Sequence, residues 1–215
     1  MRETVSAVGM VMKATPSGDY DKRLVILTRE LGKITVFARG ARRQGSSFMA
    51  AGRTFVFGTF RLFQGRDAYT LSSVEVTNYF DEIAMDMEAA CYGSYFLEIA
   101  DYYSRENMDA TDMLKLLYQS LRALQKPAIP NLLIRRIFEL KAMVINGEYT
   151  EYPTRKVCDS AAYTWQYVIA SPIEKLYQFT VTDPVLSEFS VCVEDNQNRY
   201  IDREFKSLEI LETII

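Results

Sequence analysis

The chain has 215 residues, 48% of them apolar and 25% charged, a balance that suits one large folded domain or two small ones and excludes a disordered or low-complexity protein. It contains no histidine, so imidazole catalysis and imidazole metal ligation are excluded, and Cys91, Cys158 and Cys192 are too few and too scattered for a disulfide framework. The formal net charge of −3 conceals an asymmetry, because residues 1–80 hold 12 Lys+Arg against 6 Asp+Glu while the remainder holds 13 against 22. A segment of +6 inside an acidic protein points to a polyanion as its partner.

The first 80 residues predict five strands. "TVSAVGMVMKA", "DKRLVILT", "KITVFAR", "TFVFGTFRLF" and "AYTLSSVEV" are rich in β-branched and aromatic residues and are separated by the turn formers "PSGD", "ELGK" and "QGRD". The longest gap runs from Gly40 to Arg53, and "SSFMAA" inside it suits a short helix. Five strands with a helical insertion after the third is the layout of an OB-fold barrel, whose face around strands two and three binds nucleic acid. In the first turn Asp19 and Asp21 flank Tyr20; paired acids are what a metal or acid–base site would use, but that spacing in a turn is more simply a solvated hairpin.

After residue 80 the apolar period changes to three and four. Ala89, Tyr92, Phe96, Ile99 and Tyr103 share one helical face, as do Met113, Leu117, Leu121 and Leu124, and then Leu133, Ile137, Leu140 and Val144. Pro127 and Pro130 separate the second helix from the third, and Gly147 in "NGE" stops the third. Short helical pieces follow a polar connection, one capped by Asp183 with Pro184 in its first turn, and "REFKSLEILETII" closes the chain. The predicted class is therefore α+β in two domains, a five-stranded OB-fold β-barrel over 1–80 and an all-α domain over 81–215. No apolar run approaches the roughly 20 residues of a membrane helix, and no signal-peptide segment opens the chain, so a cytoplasmic protein that does not contact membrane is expected.

The third strand carries the chemistry. Alternation in "KITVFAR" places Ile34, Val36 and Ala38 on one face and Lys33, Thr35, Phe37 and Arg39 on the other. Two cations and an aromatic ring suit single-stranded DNA, where positive charge tracks phosphates and planar rings stack on bases. Gly40 and Gly45 free the backbone around Arg42 and Arg43, and Arg53 and Arg61 carry the charge into the fourth strand. The DNA-binding set read from the sequence is thus Lys33, Phe37, Arg39, Arg42, Arg43, Arg53 and Arg61, with Phe37 either stacking on a base or capping the barrel floor.

The stretch "GDYDKRLVILTRELGKITVFARGARRQGSSFMAA" resembles the N-terminal signature of the bacterial recombination mediator family RecO. Leu27, Thr28, Gly32, Lys33, Gly40, Ala41, Arg42, Arg43 and Ser46 match that pattern, and "LIRRIFELKAMVINGEYTEYP" and "FKSLEILETI" are similar to the family's third helix and closing helix. The resemblance implies a non-enzymatic protein of the nucleoid that binds single- and double-stranded DNA, anneals complementary strands, and works with RecR and the single-strand binding protein to load RecA. A generic OB-fold nucleic-acid binder is the alternative; a carboxylate-metal nuclease would need an acidic cluster around Asp19 and Asp21.

Two further expectations come with the resemblance. Many relatives carry a four-cysteine zinc motif after the third helix, but here the place reads "CDSA", with Ala161 where a second thiolate should stand beyond Cys158, so no metal and no cofactor is expected. Residues 150–200 are then a degenerate, metal-free region packed by Tyr163, Trp165, Tyr167 and Phe179. The family's partner, the acidic C-terminal tail of the single-strand binding protein, needs an apolar slot rimmed by cations. Arg135, Arg136 and Lys141 with Lys206 are the candidates, unless Arg135 and Arg136 simply pair with neighbouring acids.

Overall fold

The computed structural model describes residues 4–214. The N-terminal part forms strands β1 (Thr4–Ser17), β2 (Asp21–Thr28), β3 (Gly32–Ala38), β4 (Phe57–Gln64) and β5 (Tyr69–Asn78), with α1 (Phe48–Ala51) between β3 and β4. They close into a barrel in the order β1-β2-β3-β5-β4, the OB-fold arrangement, with β3 and β5 joined in parallel through Val36–Tyr69 and Phe37–Thr70. β1 is long because it serves two neighbours, pairing with β4 over Thr4–Met10 and with β2 over Gly9–Ser17, and a register shift between Val11 and Lys13 bends it between them. Gly9 lies opposite Gly58 at this crossing, where a Cβ on Gly9 would come within 2.5 Å of the Leu27 carbonyl and one on Gly58 within 2.3 Å of the Glu75 carbonyl. Only hydrogen side chains allow the strands to approach so closely.

Period-two alternation fills the barrel. Leu24, Ile26, Ile34, Val36, Phe60, Leu62 and Leu71 are buried in one cluster with Val56 and Tyr69, and Phe48 of α1 packs against it. Burying such side chains contributes about 1.5–3 kcal/mol each, which offsets the entropy of ordering the strands.

The chain divides into two compact units, residues 1–81 with 101–114 and residues 82–100 with 115–215. The helical region expected over 81–215 is therefore interrupted, because a segment returns to the barrel unit and caps the β2–β3 turn. Asn107 N–H donates to the Leu31 carbonyl (2.9 Å), Ala110 N–H to that of Arg29 (2.9 Å) and Lys33 N–H to that of Arg105 (3.1 Å). The Lys33 ammonium reaches both the carbonyl and the carboxylate of Asp101, each at 2.8 Å. Gly32 sits under this segment with φ +64°, where a Cβ would lie 2.0 Å from the Arg105 carbonyl. The "LGK" of the turn is thus an anchor for the returning segment.

The second unit is helical: α2 (Asp81–Met85), α3 (Met87–Tyr103), α4 (Thr111–Leu124), α5 (Asn131–Ile145), α6 (Asp159–Ala170), α7 (Asp183–Tyr200) and α8 (Lys206–Ile214), the first three crossing the unit boundaries. α5 is its axis, buried continuously from Leu133 to Met143, with Phe138 stacked on Phe96 at 4.3 Å. Gly147 ends α5 as expected: at φ +76° it donates to the Val144 carbonyl while Glu148 N–H reaches back to Met143, a Schellman closure. The helix after "VT" has Thr182 at its N-cap position, with no side-chain capping bond, while Asp183 occupies its first turn with Pro184, and at 18 residues it is no short piece. No described helix is long and apolar enough to cross a membrane.

Gly32→Ala is expected to cost about 2–4 kcal/mol, because it adds both left-handed strain and a carbonyl clash. Urea denaturation monitored by circular dichroism measures this, with Gly18→Ala, whose Cβ meets nothing within 4 Å, as the milder control for positive φ alone.

Candidate nucleic-acid interface

On the outside of the barrel the register sets out one row of side chains. Arg23 pairs with Thr15 of β1 and Phe37 of β3, and Phe37 in turn pairs with Thr70 of β5. Arg23 is exposed and its guanidinium lies 3.4 Å from the Thr35 hydroxyl, while Phe37 is half-buried and lies outside the core cluster. Phe37 therefore faces outward beside a cation, and its reading as the barrel floor is set aside. Lys13 and Val25 are the next outward pair.

The loop that follows β3 is held in one conformation. The Asp21 carboxylate accepts the Gly40 N–H at 2.8 Å, Arg42 N–H donates to the Tyr20 carbonyl at 2.8 Å, and the Arg42 guanidinium reaches the Gly18 carbonyl at 3.1 Å. Ala41 is fully buried, and successive bonds from Arg43 N–H to Gly40 and from Ser46 N–H to Arg43 coil the loop tightly. Gly40 permits the first bend with φ +68°. Arg43 lies over the Tyr20 ring, 4.9 Å from its centroid. Asp21 thus has a structural task in the turn, as the N-terminal partner of the loop.

Several cations crowd this end of the barrel. Lys22 donates to the Gly52 carbonyl at 2.8 Å, and partial burial, with Arg53 and Arg42 close by, lowers the pKa of its ammonium below the usual lysine value. The acidic segment Asp101–Leu114, with four acids against one arginine, caps the opposite end at the β2–β3 turn. Positive potential is therefore concentrated at the end carrying the β1–β2 turn, α1 and the basic loop.

Of the seven residues read from the sequence, Phe37, Arg39, Arg42 and Arg43 fall together. Arg39 is exposed and forms no ion pair among the described residues. Lys33 is withdrawn from the set by its bond to Asp101, and Arg53 is shared with Asp81 at 2.7 Å. Arg61 is exposed on β4, between β1 and β5, and is separated from β3 by a whole strand on one side and two on the other. Arg23, Lys13, Lys22 and Tyr20 were missed. The alternation in "DKRLVILT" already put Arg23 outward; nothing local marks Tyr20, whose partner is 23 residues away.

The cationic rim expected on the helical region is contradicted. Arg135 and Arg136 are only 8% and 4% exposed, and both pair with the wholly buried carboxylate of Glu139, at 2.8 and 3.0 Å. Arg136 also binds Glu194, and Tyr95 donates its hydroxyl to Glu139 at 2.7 Å while Arg135 lies over the Tyr95 ring. Burial, reinforced by Glu139, pushes the Tyr95 phenol far above its ordinary pKa. Lys141 is buried too, donating to the carbonyls of Val168, Ile169 and Ser171 at 2.8–3.1 Å, where it satisfies the C-terminus of α6. Only Lys206 is exposed. The helical period placed these cations correctly on α5, but their acids, Glu139 within the same "RRIFE" and Glu194 on α7, turn them inward.

The donors around Cys158 do not fit the zinc site of the family. Cys158 is exposed before α6 with its N–H on Glu188 (2.6 Å), Ala161 is buried, and Cys192 is buried with its thiol pKa raised by burial. No group of three or more metal-binding side chains exists among the described residues. Packing there centres on Trp165 and Phe189, each 1% exposed, and Trp165 donates to the Thr150 carbonyl at 3.0 Å. Tyr167 meets Phe179 edge-on at 5.0 Å, but Tyr163 is 70% exposed and contributes little packing, contrary to expectation.

Residues 1–80 match the family model for recombination protein O, N terminal, and residues 84–152 match that for recombination protein O, C terminal. The DNA repair protein RecO of Acetivibrio thermocellus is 25% identical over 96% of this chain and 95% of its own length. That of Caldicellulosiruptor saccharolyticus is 28% identical over 98% and 79%, and that of Alkaliphilus metalliredigens 33% identical over 66% and 58%. The second match ends at residue 152, before Cys158.

Glu139→Ala leaves two buried guanidinium groups without their shared carboxylate, and a loss of about 3–5 kcal/mol in unfolding free energy is expected. Chemical denaturation measures it, and a loss under about 1 kcal/mol would contradict the buried pairing.

Proposed function

The chain belongs to the recombination protein O family, and we propose on that premise that it is a non-catalytic DNA repair protein whose barrel binds single-stranded DNA. The observation that carries this reading is the outward row of Arg23 and Phe37, continued by Arg39 into a basic loop already fixed by Asp21 and the Tyr20 carbonyl. Because the loop is ordered before binding, little entropy is lost when Arg42 and Arg43 meet phosphates. Arg39, Arg42 and Arg43 neutralise the backbone, and Phe37 stacks on a base.

Such binding holds the backbone and the ring faces and leaves Watson–Crick edges open. A second, complementary strand then meets a partner whose charge is already reduced, which is the physical basis proposed for strand annealing. Double-stranded DNA uses the same loop through phosphates alone. The absence of histidine and the commitment of Asp21 to Gly40 support a role without bond cleavage.

In the proposed cycle the helical unit works with RecR and with the acidic tail of the single-strand binding protein, so that RecA replaces that protein on DNA in the cytoplasm. The residues that hold the tail are others than Arg135, Arg136 and Lys141, whose charges are already satisfied inside. That burial favours, as a second reading, a barrel that binds single strands without any tail site on α5.

Changing Arg39, Arg42 and Arg43 to alanine is expected to flatten the slope of log affinity for single-stranded DNA against log salt by about 0.7 per lost contact, or roughly 2 in all. Fluorescence anisotropy across a salt series measures the slope; an unchanged one places the phosphates elsewhere. Incubation of labelled complementary strands with the protein and magnesium is expected to yield duplex and no shortened products, and cleavage would overturn the non-catalytic reading.

A further inference from the structure

Two exposed tyrosines stand at the basic end of the barrel, each with an arginine on its ring. Tyr20, in the β1–β2 turn, is 54% exposed with the Arg43 guanidinium 4.9 Å from its centroid. Tyr79, just past β5, is 40% exposed with Arg53 at 5.6 Å. Between them the structure supplies a bridge of cations: Arg42 is tied to the Tyr20 and Gly18 carbonyls, Lys22 to the Gly52 carbonyl, and Arg53 follows Gly52 directly. Against these stand Asp81, which takes one edge of Arg53, Asp21, one of whose oxygens accepts the Gly40 N–H, and the exposed Asp19 beside Tyr20. Burial first, and then the neighbouring Arg53 and Arg42, lower the proton affinity of Lys22, which is thus drawn close to both arginines.

We propose that Tyr20 and Tyr79 are two nucleobase-stacking platforms, joined by Arg42, Lys22 and Arg53 into a path for single-stranded nucleic acid over the α1 end of the barrel. This inference rests on the single-strand-binding reading above and extends it from the β2–β3 face. Each platform has one ring face taken by a guanidinium, which fixes the ring and lends it positive charge, and exposed surface left for a base. An arginine on each ring also sits where the phosphate of the stacked nucleotide can be met. The chemistry selects a flexible strand with unpaired bases, since a duplex hides its base faces.

The test compares a labelled oligo(dT) with an abasic oligonucleotide of equal length and charge, using the full-length protein. Wild type is expected to prefer oligo(dT). Tyr20→Ala with Tyr79→Ala is expected to weaken oligo(dT) binding by about 5- to 100-fold per platform while leaving the abasic strand within about twofold, and Tyr20→Phe with Tyr79→Phe to restore the preference. Photocrosslinking of wild type with 5-iodouracil DNA, which needs no variant to fold, is expected to give adducts at Tyr20 and Tyr79. Retention of the full wild-type preference in the double alanine variant, equal loss on both probes, or adducts at neither tyrosine overturns the platforms and leaves the single-strand reading, with its stacking on Phe37, standing. Failure of wild type to bind either probe overturns that reading itself.

Discussion

The basic surface of this protein depends on one carboxylate. Asp21 opens β2 and accepts the N–H of Gly40, the first residue to turn away after β3 and Arg39, so two connections distant in sequence become one rigid corner. Around that bond the Tyr20 carbonyl receives Arg42 N–H, Ala41 is drawn into the core, and Arg43 settles on Tyr20. An arginine-rich loop without such an anchor would be a solvated, mobile feature whose ordering would cost most of what its phosphate contacts contribute. Here the loop enters the encounter already shaped.

A second anchor at the opposite end explains the polarity of the barrel. Gly32 and Lys33 receive the returning segment 101–114, which brings its four acids against the β2–β3 turn, away from the cations of the other end. The signature residues thus fall into two groups with different tasks. Thr28, Gly32 and Lys33 build the turn and its clamp, with the Thr28 hydroxyl on the Gly32 carbonyl at 2.9 Å, whereas Gly40, Arg42 and Arg43 shape and charge the corner. Treating the whole signature as a DNA contact surface merges these tasks, and Lys33 is where the merger fails.

The barrel was legible because its signals are local. Alternation fixed which faces of β3 point inward, and turn formers marked the strand ends within three residues, the largest misses being the end of β1 at Ser17 and the start of β4 at Phe57. What lay beyond sequence reading was pairing between distant segments. Arg135, Arg136 and Lys141 have the spacing of an exposed cationic stripe; Glu139, one turn on, realises the alternative of pairing with a neighbouring acid, whereas Glu194 and the carbonyls closing α6 are far along the chain. A buried guanidinium is tolerable only with such partners, and nothing in the helical period distinguishes it from an exposed one. Tyr163 shows the converse, an aromatic that the density of its neighbours suggested was core but that the α6 face turns to solvent. Arg61 lies apart from the β2–β3 face for a topological reason, because β4 is next after β3 in sequence but not in the closed sheet.

The central claim is that single-stranded DNA is held by the barrel's β2–β3 face and the corner beside it. Amide hydrogen exchange of the full chain, followed by mass spectrometry with and without saturating oligo(dT), tests this without any substitution. The account predicts slower exchange in peptides spanning residues 18–25 and 33–47, with α5 and α6 unchanged. Protection confined to the helical unit, with the 39–47 loop exchanging as in the free protein, would contradict it.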